Sequence, residues 1–212
     1  MQEHHITVPR TARYHTLGVP RDAREVWIVL HGYGHLARYF LRHFEGAEQG
    51  RLIVAPEGLN RYYLDEGHTR VGATWMTRED REHEIADQLT YLDALATSIL
   101  GECQANTAVH VLGFSQGVAT ACRWTVLGNT RAARLVLWGG SMPPDLDSAS
   151  LAARWSTTLV ELVHGEQDTI VPASVLAQSE AKLRQAGVHH RTHRFDGGHA
   201  LDKLLLQRLI TA

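Results

Sequence analysis

The sequence predicts a doubly wound α/β fold on a mostly parallel sheet, with no large cap. Short apolar runs of strand length each stop at Gly, Pro or a polar turn, and stretches with helical periodicity separate them. A glycine-flanked serine stands between one such run and the helix that follows it. Alternation of this kind places helices on both faces of a sheet and ligand-binding residues beyond the carboxyl ends of its strands.

In chain order, His5–Val8 and Arg13–Leu17 are candidate strands around Pro9-Arg10, an edge hairpin at the start of the sheet. Glu25–Leu30 (EVWIVL) is continuously apolar after its first residue, as a strand buried on both faces would be. Similar runs occupy Arg51–Ala55, Ala108–Leu112, Leu135–Trp138 and Thr158–Val163, with a shorter candidate at Arg191–Phe195. Between Arg78 and Leu100, apolar residues recur at Ile85, Leu89, Leu92, Leu95 and Ile99, and Glu79 and Asp80 lie where a helix dipole favours acids. Gln116–Leu127, Ala173–Gln185 and Leu201–Ile210 complete the helices. Residues 57–78 carry no such pattern and read as one long loop, of the kind that is usually either a functional cover or disordered.

A chain of 212 residues suits one compact domain with a substantial core. A net charge of −2 offers no electrostatic case for nucleic acid. No apolar stretch is long enough to insert stably in a membrane, and MQEHHITVPR lacks the pattern of a secretion signal, so a cytoplasmic location is expected. Two cysteines, Cys103 and Cys122, are too few for a disulfide framework.

Gly113-Phe114-Ser115-Gln116-Gly117 follows the run ending at Leu112 and precedes an apolar helix. A strand-to-helix turn that tight lifts the Ser115 hydroxyl above the sheet, and the helix start favours negative charge beside it. A serine hydroxyl becomes nucleophilic only when an imidazole takes its proton, and the imidazole needs a carboxylate to hold its tautomer. Asp168, in HGEQDTIVP after the Thr158–Val163 run, is the expected acid; Glu166 and Asp196 are rivals better read as solvated turn residues. His199, after Gly197-Gly198, is the expected base, whereas His31 and His164 precede the acid and read as loop supports. Backbone N–H groups of Tyr33, in Leu30-His31-Gly32-Tyr33-Gly34, and of Gln116 are the expected oxyanion donors. Trp75 and Met76, with Met142 in the WGGSMP segment, are candidate substrate-binding residues. His189, His190 and His193 have no complementary ligand pattern, so no metal is expected.

With these residues in hand, the chain resembles the phospholipase/carboxylesterase family of α/β-hydrolases, which includes carboxylesterases and acyl-protein thioesterases. The resemblance rests on LHGYG, APEG, GFSQG, WGGSMP, HGEQDTIVP and GGH, in that order over most of the chain. It implies a cofactor-free serine hydrolase with a Ser115, Asp168 and His199 triad, and a Trp75 loop that helps form the substrate channel. The chain departs from the family pattern at His35, where a small polar residue is usual, and at Val118, where many relatives have glycine. The expected partner is a small-molecule ester, with no nucleic acid and at most a second copy of the chain. The alternatives are a thioesterase or acyltransferase using the same triad, and a catalytically silent binding protein of this fold.

Overall fold

The computed structural model describes residues 1–211. The chain begins its regular structure with β1 (Tyr14–Leu17) and β2 (Glu25–Leu30), followed by the short α1 (Ala37–Phe40) and a 3-10 turn over Leu41–Phe44. β3 (Arg51–Pro56), β4 (Asn60–Tyr63) and β5 (Val71–Thr74) lead into the long α2 (Arg81–Glu102). Then β6 (Ala108–Phe114), α3 (Gln116–Leu127), β7 (Arg134–Trp138), α4 (Ser148–Arg154), β8 (Leu159–Gly165), α5 (Ala173–Gln185), β9 (His190–Phe195) and α6 (Lys203–Thr211) alternate to the end.

Seven strands pair in the order β1-β3-β2-β6-β7-β8-β9, and only β1 runs antiparallel to its neighbour. Successive side chains of a strand face opposite sides, so each apolar run feeds two cores. Val26, Ile28, Leu30, Val111 and Leu137 pack with Leu92 and Ile99 of α2, Val118 and Trp124 of α3, and Leu183 of α5. Trp27, Val29, Leu112, Val136 and Trp138 pack on the other face with Phe40 of α1 and Leu205, Leu206 and Leu209 of α6. No large cap covers the sheet, and no helix among the described residues is long and apolar enough to cross a membrane.

The connections from β2 to β3 and from β6 to β7 leave the centre of the sheet in opposite directions, so β2 and β6 flank a topological switch point. Chain leaving two neighbouring strands in opposite directions opens a crevice above their carboxyl ends. The His31–Gly34 loop and Ser115 both lie there.

Three expectations are corrected. His5–Val8 is not a strand: Ile6 and Val8 stay exposed, and no neighbour offers them a ladder, so the antiparallel edge is β1 alone, paired with β3. Residues 57–78 are not one loop, because β4 and β5 form an antiparallel hairpin within them. That hairpin is zipped onto the loop after β2: Gly34 N–H donates to Ala73 O at 2.9 Å and Ala73 N–H to His35 O at 3.2 Å. α1 and α4 also lie outside the expected elements. Asp147 caps α4 by accepting the Ser150 N–H at 2.7 Å, a start signal visible in DSAS.

Candidate active site

β6 ends at Phe114 and α3 begins at Gln116, leaving Ser115 alone to make the turn. Its φ of 54° and ψ of −117° lie in a region that costs an L residue of order 1–3 kcal/mol and is held only by surrounding structure. Here the Ser115 N–H donates to Trp138 O at 2.9 Å, and Ser115 O accepts the Val118 N–H at 3.0 Å. The glycines on either side are sterically required. A Cβ at Gly113 would stand 2.4 Å from Gly117 O, and one at Gly117 would stand 2.3 Å from Leu30 O.

The three residues expected to act together are adjacent. His199 Nδ1 lies 2.7 Å from Asp168 Oδ2, and His199 Nε2 lies 2.9 Å from Ser115 Oγ. Pairing with a carboxylate makes Nδ1 the protonated nitrogen and leaves Nε2 to accept the serine proton. The second carboxylate oxygen of Asp168 accepts the Ile170 N–H at 2.8 Å and the Val171 N–H at 2.9 Å. Burial opposes its charge, but these N–H groups and His199 outweigh that and hold the carboxyl below its ordinary pKa. Asp168 is therefore a fixed anion behind the imidazole. On its other side the His199 ring packs against Phe114, with centroids 5.1 Å apart.

Among the described residues, neither the Tyr33 nor the Gln116 main-chain N–H has an acceptor. Both stay available to a ligand oxygen. The Gln116 side chain is engaged elsewhere. Its Oε1 accepts the Trp75 N–H at 3.1 Å, and its Nε2 donates to Thr74 Oγ1 at 2.8 Å and Met76 O at 3.0 Å. It thereby ties the start of α3 to the end of β5.

His31 braces the loop from below. It is fully buried, its Nδ1 donates to Gly32 O at 2.7 Å, and its Nε2 accepts the Gly58 N–H at 3.0 Å. That pattern needs a neutral ring, and burial pushes the pKa from 6.5 down to about 4. A neutral-only group contributes stability that is complete above its unfolded pKa and is lost as pH falls through its folded one. A depression of this size corresponds to about 3 kcal/mol lost between pH 6.5 and 4. Urea midpoints measured across that range should fall more steeply for wild type than for His31→Gln, which removes the titration; parallel slopes would contradict this account.

Ser115 and His199 open into a cleft of about 320 Å³ whose walls include Tyr33, His35, Phe40, His43 and Leu201. None of the three candidate substrate-binding residues lines it. Trp75 is fully buried, and its indole N–H donates to His31 O at 2.8 Å, so it supports the loop from within instead of meeting a ligand. Met142 is packed in the core on the α2 side of the sheet. Met76 lies 3.5 Å (Sδ) from the Arg123 guanidinium and borders a separate depression beside Ala119 and Thr120. Phe40 and His43, which do line the cleft, belong to the missed α1 and its 3-10 extension; the spacing of Leu36, Phe40 and Phe44 is the helical signal for them. His35 stacks on Phe114 with centroids 5.8 Å apart.

The profile of the phospholipase/carboxylesterase family matches residues 19–212. The chain belongs to the phospholipase/carboxylesterase family. Among solved structures, the phospholipase/carboxylesterase chain is similar to the acyl-protein thioesterase 2 of Zea mays, with 19% identity, a TM-score of 0.70, and 95% of this chain and 97% of that chain covered. The carboxylesterase of Bacillus cereus is 16% identical, with a TM-score of 0.69 over 94% of this chain and 92% of that one. A carboxylesterase of Mesorhizobium loti, also 16% identical, superposes with a TM-score of 0.71, covering 94% of each chain. At these identities the likeness shows a shared α/β-hydrolase fold. No curated protein sequence matches this chain.

Proposed function

We propose that this ester-hydrolase family member is a serine carboxylesterase acting through Ser115, His199 and Asp168. The observation that carries the reading is the relay of 2.7 Å and 2.9 Å contacts from Asp168 through His199 to a serine held at a strained turn on a helix start. In the first half-reaction Ser115 Oγ attacks the ester carbonyl while His199 Nε2 takes its proton. The tetrahedral oxyanion is received by the Tyr33 and Gln116 N–H groups, and its collapse expels the alcohol, which collects the proton from His199. Water then attacks the acyl-serine, giving its proton to His199; the acid departs and Ser115 regains its proton.

Small or medium acyl groups suit a cleft of about 320 Å³ with no large cap above it. The test is labelling with a fluorophosphonate, followed by mapping of the modified peptide and by turnover of p-nitrophenyl esters of increasing chain length beside matched thioesters. Modification at Ser115 with ester turnover is expected. Faster thioester cleavage would move the assignment to a thioesterase, and folded protein that neither labels nor turns over would favour a binding protein.

A further inference from the structure

The Ser115 cleft does not end at Phe40. His35, Phe40 and His43 form a wall shared with a second cavity of about 490 Å³. The other side of that cavity is built by the β4–β5 turn, through Leu64, Thr69, Arg70 and Val71. Its formally charged lining residues are Arg38 and Arg70, and no Asp or Glu lines either cavity among the described residues. In a chain with 23 acidic and 21 basic residues, a surface hollow whose formally charged lining groups are guanidiniums runs against the average charge.

Several arginines of this chain are engaged with carboxylates, and others lie on the surface away from both cavities. Arg13 and Arg61 hold Glu57, Arg123 holds Asp145, and Arg134 holds Glu161. The Arg38 and Arg70 side chains, in contrast, have neither a carboxylate in ion-pair range nor a hydrogen-bond acceptor among the described residues. Arg38 lies over the Tyr39 ring at 4.5 Å, which limits its wandering without using its donors. Asp65, at the hairpin turn, is already occupied: it accepts the main-chain N–H groups of Thr69 at 3.0 Å and Arg70 at 2.9 Å, and the Thr69 hydroxyl. It stands outside the cavity lining.

Guanidinium donors without a protein acceptor, placed one side chain beyond the nucleophile, suit bidentate pairing with two oxygens of a carboxylate or a phosphate. We propose that this cavity is a subsite for an anionic group of the substrate, with Arg38 and Arg70 as its specificity-determining residues. The preferred ester then carries a carboxylate or phosphate on the part that passes His35 and Phe40. This rests on the reading of Ser115 as nucleophile.

The experiment compares kcat/KM for the mono-p-nitrophenyl ester of glutaric acid, for its phosphonate counterpart and for neutral p-nitrophenyl valerate. The anionic esters should be favoured by about tenfold or more over the neutral one, whichever anion is better identifying its source. Arg38→Ala and Arg70→Ala should each lower that preference severalfold, chiefly through KM, and Arg131→Ala, at the amino end of β7, should not. Calorimetry with glutarate and with inorganic phosphate supplies a readout independent of turnover. If no ester is cleaved yet an anion binds and the arginine variants weaken it, the subsite stands and the nucleophile reading falls. Equal rates for charged and neutral esters, or anion binding indifferent to both arginine variants, would overturn the subsite.

Discussion

Ester turnover by Ser115→Ala is expected to fall by a factor on the order of 10⁵ to 10⁶ while the fold persists. The group removed is a single hydroxyl at a half-buried position, and among the described residues that oxygen makes no hydrogen bond other than the one to His199. Nothing in either core depends on it, so circular dichroism and the urea midpoint should change little. The residual rate would come from the Tyr33 and Gln116 N–H groups and from His199 acting on water, contributions that survive loss of the nucleophile. Retention of more than about a tenth of the activity would exclude Ser115 as nucleophile.

The second large effect is predicted for Asp168→Asn, a loss in kcat on the order of 10⁴. The direction follows from which oxygen does what. The oxygen that accepts the Ile170 and Val171 N–H groups must stay an acceptor, so the amide of an asparagine is forced toward His199 Nδ1. Facing a donor, Nδ1 would give up its proton and Nε2 would carry it, leaving the imidazole unable to take the proton of Ser115. Activity lost with only a small loss of stability at neutral pH is the expected result, since the fold favours the ionised carboxylate that asparagine replaces. Asp168→Ala, which also frees the two turn amides, should lose stability as well as activity. If the asparagine variant kept near-normal kcat, the carboxylate would have no orienting role.

Much of the fold was legible because buried parallel strands and amphipathic helices leave local marks. Glu25–Leu30, Gln116–Leu127 and Ala173–Gln185 have the same ends in the sequence pattern and in the structure. Ser115, Asp168 and His199 were legible for a related reason: each sits on the turn that follows a run of strand residues, so chain order and sheet topology bring them to one edge. The β4–β5 hairpin was not, since NRYY and VGAT are short, and their pairing is completed by Gly34 and His35 from elsewhere in the chain. Trp75 shows the same limit at a single residue. An aromatic in a polar stretch can point to a cleft or to the core, and only the carbonyl of His31, waiting for an indole donor, decides it.

The placement of His199 also makes the site a reporter of late assembly. Its contact with Ser115 spans 84 positions, and the loop that carries it hangs from β9, the edge strand, which has only β8 to hold it. Contacts of such long sequence separation must wait for the intervening chain to close. Under the proposed mechanism, catalytic competence is thus a property of the whole sheet, registered at its last strand, and any perturbation that loosens this rim would silence the molecule while its interior remained intact.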